Sequence, residues 1–184
     1  MTCAATREPR CRHEPYGQVA GTRRPTTEPP FIDEHARLIE ASAEEVWRAL
    51  TAHLAASDKL PVRAYVGFVG ADSRRAVGEF PRLGGTLPGF AVTAVEPLRA
   101  LTLSGEHRFS RYTLTFLLER RDAATLLRAR SHAAFPGLHG RAYRAAVIGS
   151  RAHRVLMRAM LRSVARRARA GSPTVKAERD HPMW

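Results

Sequence analysis

Apolar and polar positions alternate most regularly over residues 109–119. A period of two with a single apolar side predicts a β-strand that is buried on one face and wet on the other. The apolar face carries Tyr112, Leu114, Phe116 and Leu118. Three further strands with short connections are predicted over residues 86–96, 100–104 and 125–134. Four consecutive strands of this kind indicate an antiparallel meander, and Pro88 with Gly89 must bend the first of them or delay its start.

Before the meander, a short strand over residues 34–40 leads into a helix with a clear start signal. Ser42 is placed to cap the first turn, and Glu45 three residues later completes a capping box. Residues 62–69 are rich in β-branched and aromatic side chains and predict one more strand, followed by a polar connection over residues 70–85. The helix repeats its apolar residues at Val46, Trp47, Leu50 and Leu54.

The longest predicted element is a helix over residues 141–170, which has no proline and no acidic residue and would be about 45 Å long. One face of this helix carries Arg144, Arg151, Arg154, Arg158, Arg162 and Arg169. The opposite face carries Ala145, Ala146, Leu156, Met157, Met160 and Val164. A helix cannot bury its apolar side alone, so we expect it to lie on the meander. A connection over residues 135–140, rich in proline and glycine, would end the sheet before this helix.

This order of elements predicts an α+β fold in which a curved antiparallel sheet wraps around a long C-terminal helix. The space between the sheet and the helix would form an internal cavity. We expect the folded domain to span residues 34–170. Residues 1–33 contain five prolines and scattered charges without an apolar period, so they predict a disordered arm. Residues 171–184 predict a flexible tail.

The opening segment HARLIEASAEEVWRAL, with its small-residue cap and a buried Trp47 in the helix, resembles the start of the SRPBCC superfamily. This superfamily has the helix-grip fold and includes START lipid-transfer domains, birch-pollen-allergen-like proteins and polyketide cyclases. The resemblance covers residues 34–170 and is supported by the terminal helix. The segments LGGTLPGFAV, LSGEHRFSRYTLTF and AAFPGLHGRAYRAAVIGSRAHR are similar to an uncharacterised actinobacterial branch. The resemblance implies a largely apolar cavity, and it implies no particular chemistry.

The net charge of +13 comes almost entirely from arginine, because Lys59 and Lys176 are the only lysines among the 30 basic residues. Arginine excess beside abundant alanine is typical of GC-rich genomes, so it is a weak argument for phosphate binding. The chain has no zinc-finger spacing, and its aromatic residues do not interleave with the basic helix face. We therefore expect no nucleic acid partner. A solvated face is the favoured interpretation of the arginines, and peripheral contact with an anionic membrane is the alternative.

Cys3 and Cys11 are the only cysteines, and both lie in the predicted arm, where they cannot cross-link a core. The N-terminus lacks the apolar segment of a signal peptide, and no stretch approaches 18 uninterrupted apolar residues. These features favour a cytoplasmic protein.

Candidate binding residues are those that strand parity, or a position near the 135–140 connection, would place at the cavity. Arg108, Ser110 and Tyr112 share the parity of the apolar face. A buried tyrosine hydroxyl needs a hydrogen-bond partner, and an arginine at the rim could hold a carboxylate or phosphate. The alternative is that Arg108 lies in a hairpin turn and Tyr112 is a core residue. The predicted ligand-binding set is Arg108, Ser110, Tyr112, Phe116, His139 and Tyr143.

His132 and His139 lie on either side of the Phe-Pro-Gly sequence at residues 135–137, and a histidine at a cavity mouth could act as a general acid or base. The alternative is that both are loop or edge residues. For an enzyme, we predict Tyr112 and His132 as the catalytic candidates. Arg128 and Arg130 share a strand face, and we expect them to be solvated or paired with acids on a neighbouring strand. We expect no metal and no cofactor, because HExxH, CxxC, GxGxxG and P-loop motifs are absent.

Two functions follow from the predicted cavity and from the resemblance. The first is a binding protein that holds a small apolar or amphipathic molecule between the sheet and the C-terminal helix. The alternative is an enzyme similar to polyketide cyclases or aromatases that uses the same cavity for proton transfer.

Overall fold

The computed structural model describes residues 28–56, 67–71, 73 and 76–171. We number the helices and strands in chain order, and a π-helical turn lies between the last two helices. The elements are β1 (Phe31–Ile39), α1 (Ala43–Ala55), β2 (Thr86–Leu87), β3 (Phe90–Glu96), β4 (Ala100–His107), β5 (Ser110–Arg121), β6 (Ala124–Ala134), α2 (Gly137–Arg144), the π-helical turn (Ala145–Gly149) and α3 (Ala152–Gly171).

The six strands form one antiparallel sheet in the order β1-β6-β5-β4-β3-β2. The predicted meander is therefore confirmed, and β1 adds to it by pairing with β6, the last strand. Pro88 and Gly89 form a two-residue turn between β2 and β3, so they divide the first predicted strand in two, with Gly89 at a φ of 82°. The curved sheet and the long C-terminal helix make up the α+β helix-grip fold that the sequence predicted.

The inner face of the sheet packs against α1 and α3. Along β5 the predicted alternation is confirmed: Phe116 and Leu118 are buried, whereas hydroxyl groups occupy the outer face, where Thr115 lies 3.3 Å from Thr102. Both helices contribute apolar side chains to the core. Two of those on α3, Ala165 and Ala168, are small, which allows α1 to pack close to α3. The core includes Ile39, Val46, Leu50, Leu101, Phe116, Leu127, Leu161, Val164, Ala165 and Ala168.

Helix α1 begins as its sequence predicts. The Glu45 backbone N–H donates to the Ser42 hydroxyl over 3.2 Å, and the Ser42 N–H donates to the Glu45 carboxylate over 2.8 Å. This capping box satisfies two of the backbone donors that every helix start leaves unpaired. Trp47, which we expected to be buried, is only partly buried and packs on the edge of the core.

The C-terminal helix is not continuous, so the prediction for residues 141–170 was wrong in this respect. Helix α2 ends at Arg144, and the chain widens into the π-helical turn. Arg151 then adopts a left-handed φ of 61° before α3 starts. Gly149 and Ser150 are weak helix formers, and the Ser150 hydroxyl accepts the Ala152 N–H over 3.3 Å, which favours a restart at this position.

The burial of these helices follows the prediction only in part. Met157 and Val164 are buried as predicted, but Leu156 is 66% exposed, and Ala145 and Ala146 in the π-helical turn are not buried. Ala145 and Ala146 precede the break and so lose the phase that a continuous helix would give them with α3, whereas Leu156 is in α3 itself, about 100° around the helix from Met157. The six arginines predicted for the opposite face are all exposed, at Arg144, Arg151, Arg154, Arg158, Arg162 and Arg169.

The N-terminal boundary also differs from the prediction. Residues 31–33 belong to β1 and not to an arm, because the sheet edge of β6 pairs with them: Ala133 donates its N–H to the Pro30 carbonyl over 2.9 Å. Residues 1–27 and 172–184, which hold the rest of the predicted arm and tail, lie outside the described residues. Most of the strand predicted over 62–69 also lies outside them, and its described end, 67–69, is helical.

Ion pairs cover the outer face of the sheet at β1 and β6. Arg128 donates to Glu34 and to Glu119 over 2.8 Å each, and Arg130 donates to Glu34 over 2.9 Å. The expected pairing of both arginines with acids on neighbouring strands is thus confirmed. Hydrogen bonds from Arg128 and then Arg130 lower the pKa of Glu34, because they stabilise its charged form.

We expect Glu34→Gln to lower the melting temperature by about 2–4 °C at pH 7, because it removes one charge that two arginines share. The lowered pKa of Glu34 means that its contribution is present above the ordinary glutamate pKa and is lost as the pH falls through the folded-state value. Thermal unfolding between pH 7 and pH 3 should therefore show the two proteins converging in acid. Glu79→Gln, which removes a single exposed ion pair with Arg82, is the control and should change little. Equal effects of the two substitutions would contradict the prediction.

Candidate ligand cavity

A hollow of about 570 Å³ lies between the inner face of the sheet and the segment from α2 to α3. Its volume is within the range of about 300–1,000 Å³ that small-molecule sites occupy. The walls are mainly apolar. Leu156 lines the hollow and is largely exposed, so it lies at the mouth. Representative wall residues are Phe90, Leu103, Leu114, Met157 and Met160.

The hollow exists because the inner face of the sheet is filled at one end only. Towards the start of β6, Phe116 and Leu127 are fully buried under the helices. Towards the other end of β5 and β6, the inward positions include Ser110, Ser131 and Ala133, which fill less of the inner layer than Phe116 and Leu127 do. Small side chains at this end therefore leave space that the core does not use.

His107 and Ser110 form a buried polar pair in the wall. β4 extends to His107, past the start of the turn predicted at residues 105–108, so the imidazole points into the inner layer and is 7% exposed. The Phe109 N–H donates to His107 Nδ1 over 3.1 Å, which leaves the proton of the neutral ring on Nε2. Nε2 lies 3.2 Å from the Ser110 hydroxyl and donates to it. Burial lowers the pKa of His107, which favours this neutral form.

Aromatic rings surround His107. The ring centroid of Tyr143 lies 5.1 Å away, edge to face, and that of Tyr112 lies 5.4 Å away. Phe109 stacks on Tyr143 with centroids 5.4 Å apart. This arrangement fixes the imidazole from several sides, and it anchors α2 to the hairpin between β4 and β5.

Tyr112 is fixed by two glycines. Its hydroxyl donates to the Gly89 carbonyl over 2.6 Å, and its ring lies directly over Gly105 on the neighbouring strand. A Cβ atom at Gly105 would collide with the Gly89 carbonyl and with the Tyr112 ring. The absence of a side chain at Gly105 is therefore what allows the turn between β2 and β3 to approach this wall.

We expect Gly105→Ala to lower the free energy of unfolding by about 1–3 kcal/mol, because the backbone must move to admit the methyl group. Gly149→Ala is the matched control: a Cβ there meets nothing within 4 Å, and the residue is helical, so stability should stay equal or rise slightly. Denaturant unfolding of the two variants measures both. A neutral Gly105→Ala would show that the contact with Tyr112 is not tight.

We expect the protein to lose stability as the pH falls below about 6.5, the ordinary histidine pKa, and to go on losing it until the lowered folded-state pKa of His107 is reached. The reason is that the unfolded chain binds a proton at His107 more readily than the folded protein does. His107→Asn stays neutral and keeps an acceptor for the Phe109 N–H. The difference in unfolding free energy between the two proteins, measured from pH 8 to pH 5, should shrink in acid. A constant difference would contradict the role of burial.

A second polar group lies where β1, β6 and α3 meet. His153 Nε2 is 3.2 Å from Asp33 Oδ1 and 3.1 Å from the Ser131 hydroxyl, while His35 Nε2 is 3.1 Å from Asp33 Oδ2. The ladder between β1 and β6 shifts register between Phe31 and Asp33, at a bulge that turns the Asp33 carboxylate towards α3. Ser131 and His153 both line the hollow.

Four of the residues predicted for the site line the hollow: Ser110, Tyr112, His132 and Tyr143. His132 packs edge to face on Phe31, and its buried Nδ1 atom has no hydrogen bond to any described residue, although Glu28 lies 3.4 Å away.

Three predicted residues lie elsewhere. Arg108 occupies the exposed hairpin turn, where it donates to the Phe68 carbonyl over 2.9 Å and stacks on Phe109. Phe116 is fully buried in the core, below the end of the hollow. His139 is exposed on α2, because this helix begins at Gly137, within the connection predicted over residues 135–140.

Sequence reasoning missed His107, Ser131, Asp33 and His153. Strand parity could have found His107, since Leu101 and Leu103 point inward and a strand continued by four residues places His107 on the same face. No local pattern marks the contact between Asp33 and His153, because it joins residues 120 positions apart.

Within the described ranges, no three His, Cys, Asp or Glu side chains are placed to hold a metal ion. Among the same residues, no helix is both long and apolar enough to cross a membrane.

No protein-family model matches the chain, and no curated protein matches it. Solved structures do. A protein from Nitrosospira multiformis has a TM-score of 0.50 at 13% identity, over 73% of this chain and 93% of its own. Mll3558 from Rhizobium loti has a TM-score of 0.48 at 18% identity, over 73% and 94%. CalU16 from Micromonospora echinospora has a TM-score of 0.47 at 19% identity, over 82% and 75%. At these identities the likeness concerns the fold, and the fold is the helix-grip.

Proposed function

We propose that the protein binds a small apolar or amphipathic molecule in the hollow between the sheet and the C-terminal helices. One observation carries the proposal: a space of about 570 Å³ with mainly apolar walls and two buried polar groups. A protein that used this fold only as a scaffold would gain stability by filling that space.

The walls set the scale of the affinity. Burying about 300 Å² of apolar ligand surface contributes roughly 7 kcal/mol at about 25 cal/mol per Å². The loss of translational freedom and the ordering of wall side chains offset much of this gain, so we expect dissociation constants of about a micromolar.

The superfamily branch, the cellular location and the partners of the protein are also part of the proposal. The three segments resembling the actinobacterial branch of the SRPBCC superfamily support placing the chain in that branch. The cytoplasmic location that the sequence favours belongs to the same proposal. The exposed arginines of α3 support a solvated face that contacts anionic surfaces weakly, and we propose no nucleic acid partner.

We expect Ala133→Phe to weaken binding of the fluorescent apolar probe N-phenyl-1-naphthylamine by about tenfold or more, because Ala133 lines the hollow and the new ring would occupy it. Ala134→Phe is the control, since the adjacent strand residue points to the other face of the sheet. Fluorescence titration of the two variants and the wild type measures the effect. Equal binding by both variants would place the probe outside the hollow, and no binding to the wild type would count against the proposed function.

The cyclase-like or aromatase-like alternative remains a prediction. The pair formed by His153 and Asp33 favours it, because a carboxylate that orients an imidazole is a common base arrangement. Of the two candidates predicted from sequence, Tyr112 already donates its proton to the Gly89 carbonyl, and His132 lines the hollow. Retention of full turnover after His153→Gln and His132→Gln, with any substrate found, would remove both histidines from the mechanism.

A further inference from the structure

We infer that the molecule held in the hollow is uncharged and carries oxygen groups at both ends: a carbonyl at the end formed by Ser110 and a hydroxyl at the end formed by Ser131 and His153. The inference rests on the proposed function and specifies its ligand. It follows from which hydrogen-bonding positions the wall leaves unused.

The first end offers a donor. His107 Nδ1 accepts from the Phe109 N–H, so Nε2 carries the proton and donates it to the Ser110 oxygen. The Ser110 hydroxyl hydrogen then has no acceptor among the described residues. Ser110 is 3% exposed and lines the hollow, so a ligand is the acceptor that would satisfy it. A carbonyl oxygen, which only accepts, matches this position.

The second end offers both a donor and an acceptor. A carboxylate oxygen only accepts, so the His153 Nε2 atom beside Asp33 carries a proton, which the Ser131 oxygen shares. The Ser131 hydroxyl hydrogen is therefore free to donate. In the neutral ring, His153 Nδ1 is an acceptor without a partner among the described residues. Ser131 is 6% exposed, and both residues line the hollow. A hydroxyl group, which donates and accepts, matches this pair.

The distance between the ends sets the length of the ligand. Ser131 pairs with Leu114, which is four residues from Ser110 on the same strand. Four residues span about 13 Å along a strand, and one step to the next strand makes the separation roughly 14 Å. After allowance for a hydrogen bond of about 2.8 Å at each end, the two oxygens of the ligand would lie roughly 8–14 Å apart. An elongated molecule of two or three rings has this length.

The wall between the two ends supports an apolar, uncharged body. Leu114, Ala133 and the ring of Tyr112 lie between the two serines. No arginine or lysine is among the described residues that line the hollow, and the predicted anion partner, Arg108, is in the exposed turn. A carboxylate or phosphate group would be buried there without an arginine or lysine partner, at a large desolvation cost.

Four biphenyls test the inference: biphenyl, 4-acetylbiphenyl, 4-hydroxybiphenyl and 4-acetyl-4′-hydroxybiphenyl. Their binding to the full chain would be measured by displacement of N-phenyl-1-naphthylamine and by calorimetry. We expect each polar group to raise the affinity about 3- to 10-fold over biphenyl, and the compound with both groups to bind best. We expect biphenyl-4-carboxylate to bind more weakly than 4-acetylbiphenyl.

Variants of Ser110 and Ser131 test which end of the hollow binds the acetyl group and which binds the hydroxyl group. Ser110→Ala should remove the gain from the acetyl group and keep the gain from the hydroxyl group, whereas Ser131→Ala should do the reverse. Ser110→Thr, which keeps the hydroxyl, should restore the acetyl gain. Thr115→Ala, which removes a hydroxyl from the outer face of β5, is the matched control and should change neither gain. The affinity for plain biphenyl reports in each variant whether the hollow is intact.

The outcomes separate the two proposals. If biphenyl does not bind the wild type, the proposed function fails. If biphenyl binds, but the polar groups add no affinity or their gains do not depend on Ser110 and Ser131, the function stands and the inference about the ligand is overturned. Tighter binding of the carboxylate than of the acetyl compound also overturns it.

Discussion

The antiparallel pairing of β1 with β6 is the contact on which the rest of the structure depends. It joins the first described strand to the last, over a register that runs from Phe31 to Ile39. On the outer face, the pairing brings Glu34 to two arginines of β6. On the inner face, it brings Asp33 beside Ser131 and gives α3 a strand to pack on. Without it, β6 would be the edge strand, and neither the second polar group nor the surface of β1 on which α3 packs would form.

One half of the inner face of the sheet is covered by a packed core, and the other half borders the hollow. Large side chains such as Phe116 and Leu127 meet α1 and the later turns of α3, and this part is packed as an ordinary core. At the other half the inward positions of β6 carry Ser131 and Ala133, and the chain above it is not α-helical between Arg144 and Ala152. The π-helical turn sets Val147 and Ile148 over the hollow. The stable half therefore supports the space in the other half, which explains how the protein tolerates an unfilled interior.

The polar atoms of the hollow give it its chemical character. A buried hydroxyl that lacks an acceptor costs stability, and Ser110 and Ser131 each carry a buried hydroxyl whose hydrogen has no acceptor within the part of the chain that the structure describes. Each is held by a histidine whose own hydrogen bonds decide which nitrogen carries the proton. A ligand with matching oxygens would remove that cost, so the proposed specificity and the local instability have the same origin.

What the sequence alone determined is local. The alternation along β5, the capping box at Ser42 and the exposed arginines of α3 each depend on residues a few positions apart, whose geometry follows from the period of a strand or a helix. The tertiary structure decided the rest. The start of β1 depends on an edge supplied by β6, about 100 residues later. The break before α3 separates α2, whose Tyr143 ring packs at the hairpin between β4 and β5, from α3, which packs on α1 and β1. The partners of His107 lie within three residues, but its burial depends on rings brought from α2, and Asp33 meets His153 across 120 residues. Contacts of that separation leave no periodic signal in a single chain, because their cause is the packing of elements and not the order of neighbouring side chains.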